Sequence, residues 1–372
     1  MRILLVTMSM DIGGAETHIL ELAKELKRRK NDVFVMSNGG KYIEELELNG
    51  IEHIWAPLHN KNIFNMISSY KILEHVIKAK KIDVVHSHTR ISSFICGKLK
   101  KNIDFPFVTS AHWTFKVTPL LKFMTDWGEN VIAVSDDIKE YLIENYNYPK
   151  ENIFVTVNGI DVEKFSKSID YADIAKEFKF RENTKRIVYI SRLDESRALV
   201  AKQLVNIAEE LDKEIENLEI VIVGGGDSFE EISTKVNEIN EKLGKKLIIL
   251  TGPRTDINKF AASGTIFIGV SRAALEAMAC EQPVIVAGNE GYLGIFDESK
   301  LEKGIETNFC CRGLEMSTEE ILKKDVIKLI NEKNKEKYGT YNREIVKKYY
   351  SVEIMTNECV KAYEKTLKEH KK

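Results

Sequence analysis

The chain has 372 residues, 43% hydrophobic and 30% charged, with 55 lysines plus arginines against 57 aspartates plus glutamates, for a net charge of -2. The length suggests two domains and the composition a soluble globular protein with sizeable cores, while the balanced charge disfavours a general nucleic-acid binder. Apolar runs such as Leu247–Leu250 and Val284–Ala287 are strand-sized, too short to cross a bilayer. Met1–Thr7 has one basic residue and neither a long apolar core nor a small-residue cleavage site, so it reads as the first strand of a cytosolic protein. The five cysteines (Cys96, Cys280, Cys310, Cys311 and Cys359) are scattered and lack metal-ligand spacing, against a disulfide framework or a zinc site. Cys310-Cys311 reads as a buried pair of small residues in a strand.

Ile3–Met8 is nearly continuous in apolar residues, as in a strand covered on both faces. Ala15, Ile19, Leu22, Ala23 and Leu26 follow at helical spacing. Between strand and helix stands Asp11-Ile12-Gly13-Gly14. Gly13 and Gly14 let backbone N–H groups approach an anion at the helix start; a tight turn explains them equally well. The spacing is not G-x-G-x-x-G, and the second strand runs into Met36-Ser37-Asn38-Gly39 with no acid for a ribose, which disfavours a nicotinamide dinucleotide.

Further runs at Val33–Met36, Ile54–Trp55, Val84–Val85, Phe107–Val108, Val131–Val134 and Phe154–Val157 continue a βαβ rhythm. His86, His88 and His112 follow strands, where an imidazole can donate a hydrogen bond or handle protons. His112, in Thr109-Ser110-Ala111-His112-Trp113, is the candidate; His86 and His88 read as structural. Val157-Asn158-Gly159-Ile160-Asp161 is a turn suited to a domain crossover.

After a polar stretch from Ser166 to Lys185 the rhythm restarts at Ile187–Ile190, then Ile220–Val223, Leu247–Leu250, Ile266–Ile268 and Val284–Val286, with helical patterns such as Leu199–Leu211 and Phe229–Leu243 between. The fold class is therefore α/β, two doubly wound Rossmann-like domains facing a cleft, with ligands expected at strand carboxyl ends. The expected boundaries are 1–165 and 166–345, followed by a C-terminal helix over 346–372 that packs back on the first domain. Gly224-Gly225-Gly226-Asp227 follows a strand but belongs to no P-loop signature. Arg192, Arg197 and Lys202 suit a diphosphate; surface ion pairs with Asp194 or Glu195 are the plainer reading. In Ile268–Gly288, Glu276 stands in an otherwise apolar helix. It serves either as an i,i+4 partner for Arg272 on a solvated face or as an acceptor for a ligand just past the helix start.

Five stretches, in order, carry a family resemblance: GGAETHILELAKELK, VIAVSDDIKEYL, VTVNGIDVEKF, ISRLDES and LEAMACEQPVIV. Together they resemble the retaining glycosyltransferases of the GT-B fold, family 4, over nearly the whole chain. The resemblance implies an acceptor-binding first domain and a nucleotide-sugar-binding second one. It places Gly13, Gly14 and Gly225 near the donor and His112 against the transferred sugar. Arg192 with Arg197 or Lys202 would hold the diphosphate, Arg254-Thr255-Asp256 the base, and Glu276, second glutamate of an E-x7-E motif, the ribose hydroxyls.

Three departures accompany it. The first motif glutamate is replaced by Ile268, the usual Gly-Phe-Gly-Leu reads Gly269-Val270-Ser271-Arg272, and an expected lysine is Arg197. Ser271 and Arg272 then face the phosphates from the helix start.

The implied activity is transfer of a sugar from a nucleoside diphosphate sugar, UDP foremost, to a hydroxyl of a glycan or lipid-linked acceptor, as in cell-envelope or capsular glycan synthesis. No metal or other cofactor is expected. A nucleotide-sugar 2-epimerase of the same fold and a catalytically weak sugar-nucleotide sensor or partner subunit are the competing readings. The acceptor would meet the loops Tyr42–Leu48, Lys61–Ser69 and Arg90–Lys101, which carry no motif. Ile91–Lys101 mixes Phe94, Ile95 and Leu99 with Lys98, Lys100 and Lys101, which suits a buried helix or peripheral contact with the inner face of a membrane.

Overall fold

The computed structural model describes residues 1–115 and 117–371, and these divide into two compact units: Met1–Gly159 with Tyr350–Lys372, and Ile160–Tyr349. The first is built on seven parallel strands: β1 (Arg2–Val6), β2 (Asp32–Ser37), β3 (Glu52–Trp55), β4 (Val84–Ser87), β5 (Phe107–Ala111), β6 (Asn130–Ala133) and β7 (Ile153–Val155). Their order is β3-β2-β1-β4-β5-β6-β7, so the winding reverses between β1 and β4. Every residue of β4, β5 and β6 is buried. Buried polar groups here are paired where the packing allows: Thr109 Oγ1 donates to the Trp127 carbonyl at 2.7 Å, and Asn130 Nδ2 to Thr366 Oγ1 at 2.9 Å.

The second unit holds β8 (Lys185–Ile190), β9 (Leu218–Val223), β10 (Ile248–Leu250), β11 (Ile266–Gly269), β12 (Val284–Gly288) and β13 (Gly291–Ile295). The order is β10-β9-β8-β11-β12-β13, with only β13 antiparallel and the winding reversed between β8 and β11. β13 is absent from the strands expected above. Its sequence, Gly291-Tyr292-Leu293-Gly294-Ile295, has glycines at φ 152° and 78°, which are poor strand signals.

The units divide at Gly159/Ile160 and Tyr349/Tyr350, not at 165/166 and 345/346. Arg343 draws the crossover segment into the second unit by donating to the carbonyls of Val162 at 3.0 Å, Phe165 at 3.1 Å and Ala279. On the other side, the Gly159 amide donates to Met355 Sδ at 3.3 Å, and a Cβ on Gly159 would lie 2.8 Å from Met355 Cβ. The C-terminal stretch is two helices, Lys335–Tyr349 and Val352–His370, and only the second belongs to the first unit. There Met355, Cys359, Ala362 and Tyr363 join the core cluster of Ile3, Leu5 and Val84, and the Tyr363 hydroxyl is hydrogen-bonded to His86 Nδ1 at 2.7 Å.

Other expectations are corrected by local geometry. Cys310-Cys311 lies in no strand. It follows the helix Leu301–Glu306 in a loop where Asn308, Phe309 and Cys311 adopt positive φ, with Cys311 buried and Cys310 partly so. Burial pushes the two thiols up to about 11 and about 12, so neither is a ready nucleophile. The helical pattern Leu199–Leu211 breaks at Ile207 into Leu199–Asn206 and Ala208–Glu214. The three supposed loops of the first unit are largely helical, as Ile43–Leu48, Ile63–Lys80 and Arg90–Lys100. Among the described residues no helix is long and apolar enough to cross a membrane.

Candidate functional site

In the second unit, backbone hydrogen bonds lace the loops after β8, β9 and β10 together at one edge. Ser191 N donates to the Val223 carbonyl at 3.1 Å, Leu193 N to Gly225 at 2.9 Å, and Gly224 N to Gly252 at 3.0 Å. Gly224 (φ 146°) and Gly226 (φ 154°) permit this closeness, since a Cβ would fall 1.8 Å from the Ser191 carbonyl oxygen and 2.5 Å from the Leu193 carbonyl carbon. A Cβ on Gly225 would meet the Pro253 ring at 3.1 Å. The glycine run thus clamps Ser191–Leu193 and fixes Arg192 at the carboxyl end of β8.

Arg192 and Arg197 both turn to Asp194, at 4.0 and 3.5 Å, and the Arg192 side chain is 63% exposed. The surface pairs weighed above are therefore formed, and they are weak enough for a stronger anion to displace. Lys202 is elsewhere: it lies within the helix Leu199–Asn206 and pairs with Glu231 at 2.6 Å.

The helix Ser271–Ala279 begins at the carboxyl end of β11, beside β8 at the winding reversal. Ser271 sits in the left-handed region (φ 53°), unusual for a residue with a side chain, and its amide is held by the Phe309 carbonyl at 2.7 Å. Arg272 Nε donates to Glu276 Oε1 at 2.8 Å. The pair is formed, but not on a solvated face: the two side chains are 11% and 4% exposed. Both terminal nitrogens of Arg272, Nη1 and Nη2, are buried without a hydrogen-bond partner among the described residues. A guanidinium held by one edge with its other donors unsatisfied costs free energy unless an anion completes it.

Ile268 is fully buried in β11, within the core cluster of Ile187, Tyr189 and Ile285. A carboxylate there would be stranded in hydrocarbon, so its absence follows from the packing of this chain. Arg254 bonds Asp256 through Nε at 2.9 Å and Nη2 at 2.8 Å, and Glu177 through Nη1 at 2.7 Å. Its hydrogen bonds to the Asp256 carboxylate hold the Arg254 guanidinium above the ordinary value. Arg254 is thereby a strut for its loop, and Thr255 beside it is exposed.

In the first unit Gly13 caps the helix Gly14–Arg28 in extended geometry, and the Glu16 carboxylate covers it, 2.2 Å from where a Cβ would stand. The helix start therefore already has a carboxylate of its own. A Cβ on Gly14 would meet nothing within 4 Å, so protein packing does not account for that glycine. His88 and His112, after β4 and β5, are joined Nδ1 to Nε2 at 3.1 Å, and His18 packs edge-on to His112 with ring centres 4.9 Å apart. Ligand atoms of His18, His88 and His112 all lie within 4.8 Å of one another, and among the described residues this is the group that could hold a metal ion. His86 is structural, bonded to Tyr363 and, at 2.8 Å, to Ser110 Oγ. His88 follows a strand as His112 does, and the structure places it in this cluster rather than in the purely structural role expected of it; His18 carries no local signal, and strand order alone brings it to the other two.

Burial lowers the His112 imidazole to about 4 and His86 to about 3, and holds His88 well below its ordinary value. These rings are neutral near pH 7, so His112 offers a hydrogen bond rather than a charge. The unfolded chain takes up the His112 proton near 6.5, whereas the folded chain does so only near 4. Stability is therefore full above pH 6.5 and is lost as pH falls through that window, by about 3 kcal/mol for this group. Denaturant midpoints measured from pH 7 to 4 should fall accordingly, and in His112→Asn the slope near pH 5 should drop by about one proton. An identical slope in the variant contradicts the assignment.

Residues 12–164 match the family model described as Glycosyltransferase Family 4, and residues 184–308 the model described as Glycosyl transferases group 1. The paired parallel sheets are those of the GT-B fold: HepE of Anabaena, solved in complex with UDP-glucose, superposes with a TM-score of 0.73 at 17% identity, over 99% of this chain and 100% of that one. An uncharacterised glycosyltransferase of Methanocaldococcus jannaschii is 23% identical over 312 residues, 76% of this chain and 79% of the relative. The Escherichia coli UDP-Gal:alpha-D-GlcNAc-diphosphoundecaprenol alpha-1,3-galactosyltransferase is 27% identical over 255 residues, 62% of this chain and 63% of the relative. The chain belongs to glycosyltransferase family 4 and is an enzyme that draws on a nucleotide-sugar donor.

Proposed function

We propose that the enzyme transfers a hexose from a UDP-sugar to a hydroxyl acceptor with retention of anomeric configuration, in assembly of a cell-envelope or capsular glycan. The observation that carries this reading is Arg272, whose two unpartnered terminal nitrogens lie buried at the amino end of a helix and at the winding reversal of the second unit's sheet. A departing diphosphate supplies what they lack: paired anionic oxygens for a guanidinium fork and negative charge for a helix start. Arg192 and Arg197, released from Asp194, add charge at the neighbouring strand end. Glu276 would take the ribose hydroxyls; a carboxylate has about four lone-pair positions, so accepting from Arg272 does not exhaust it. Gly225 and the Arg254-Thr255 loop would border the base. Gly14 would leave room for the donor, while Gly13 and Lys202 have partners of their own and contribute less.

In the reaction the bond from the sugar's anomeric carbon to the β-phosphate oxygen breaks and a bond to the acceptor oxygen forms. The acceptor proton passes to the departing phosphate, whose growing charge these donors stabilise. Neutral His112 would donate to a hydroxyl of the transferred sugar. No step requires a metal.

A panel of radiolabelled nucleotide sugars tests the proposal. Binding of a UDP-sugar with slow release of UDP and free sugar is the expected result, and Glu276→Ala should weaken that binding by about tenfold or more. Formation of the 2-epimer would assign the protein to epimerases, and a panel bound without turnover to sensors.

A further inference from the structure

The first unit contains a cavity of about 430 Å³, within the size range of ligand sites. His112 and Ser110 lie in its lining, but most of the wall is hydrocarbon and aromatic: Met66, Phe94, Trp113, Phe115, Leu121 and Met124. A sugar alone, rich in hydroxyls, has little use for such a wall.

Two further observations concern its surroundings. The elements that supply Met66 and Leu121 also present bare apolar side chains. On the helix Ile63–Lys80 these are Ile63 (60% exposed) and Phe64 (78%), and on the helix Pro119–Phe123 they are Leu120 (66%) and Phe123 (73%). Pro119–Phe123 buries none of its residues. Scattered singly such side chains mean nothing; grouped on the elements that line a cavity they mark an apolar partner.

The second observation is cationic. The Arg90 guanidinium lies over the Phe115 ring at 4.2 Å, and its Nη1 is buried with no partner among the described residues. Lys98 Nζ stands 5.0 Å over Phe94 and 5.2 Å over Phe123. Trp127 Nε1, also in the lining, is a second buried donor with no partner.

We infer that the acceptor is an amphiphile: an apolar chain occupies this cavity, a phosphate beside it takes the Arg90 donor, and the sugar hydroxyl to be glycosylated is presented toward His112. Apolar walls ringed by aromatic-backed cations match a chain whose anionic head meets water. The inference rests on the transferase reading, since only that reading makes the cavity an acceptor site.

The probe is a series of n-alkyl phosphates, butyl to decyl, titrated below their micellar concentrations into the full chain, with calorimetry and the fluorescence of Trp113 and Trp127 as readouts. Each added methylene should strengthen binding about fourfold until the cavity is full. The double variant Leu121→Gln/Met124→Gln, at partly buried positions, should keep its Tm and abolish the chain-length dependence. Arg90→Gln should weaken every member by a similar factor, about tenfold. Affinity indifferent to chain length, or a dependence that survives the double variant with unchanged Tm, overturns the inference. Nucleotide-sugar binding is measured on the same samples. Donor bound without discrimination among alkyl chains sinks the amphiphile and spares the transferase; chain-dependent binding with no donor bound sinks the transferase reading instead.

Discussion

Arg272→Ala is expected to lower kcat/KM at least about a hundredfold, the usual cost of removing one preorganised donor from a developing oxyanion. It should also destabilise the second unit, because Glu276, 4% exposed, loses the guanidinium that hydrogen-bonds its carboxylate. The two effects separate in the pair Arg272→Leu/Glu276→Met. Replacing a whole buried ion pair by hydrocarbon of similar volume is commonly neutral or stabilising, so this variant should regain most of the lost stability and none of the activity. Thermal unfolding and single-turnover kinetics on the three proteins decide the matter. If the double variant recovers turnover along with Tm, the pair is a strut and Arg272 has no part in the chemistry.

His112→Ala carries the other large effect. Removing a positioned hydrogen-bond donor from the transferred sugar should reduce kcat by about a hundredfold to a thousandfold. The affinity for the nucleotide product should hardly move, because the groups proposed to grip the diphosphate lie in the second unit. Calorimetry with UDP and steady-state rates with the best donor of the panel measure the two quantities separately. A parallel fall in both would make His112 a support for the fold, and an unchanged kcat would remove it from the site.

The alternation of strand and helix was legible because buried parallel strands are apolar along their length, as Ile3–Val6 and Ile220–Val223 show. β13 was not, since two of its five residues are glycine and it pairs only at an edge. The i,i+4 spacing announced the contact of Arg272 with Glu276. It could not announce its burial, which depends on what else covers that helix. The contrast is sharper in the first unit. His112 was singled out from its place after a strand, but positions 18, 88 and 112 are distant in the chain. Only the order β1-β4-β5 makes them neighbours. The cavity beside them is likewise made by Met66, Phe94 and Leu121 from three separate helices, and no local pattern encodes such a meeting. Ile268 shows the opposite limit: the departure was visible at once, and its cause needed the sheet.

The return of Val352–His370 to the first unit has a consequence for biosynthesis. A ribosome delivering this chain must add about 190 residues, all of the second unit, before the tyrosine that meets His86 emerges. At cellular elongation rates that is a wait of roughly 10–40 s. During it β1 and β4–β6 lack the covering that Met355, Cys359 and Tyr363 provide, while residues 160–349 come off the ribosome in one uninterrupted stretch. The nascent amino-terminal half is therefore the part of this protein with most need of a chaperone.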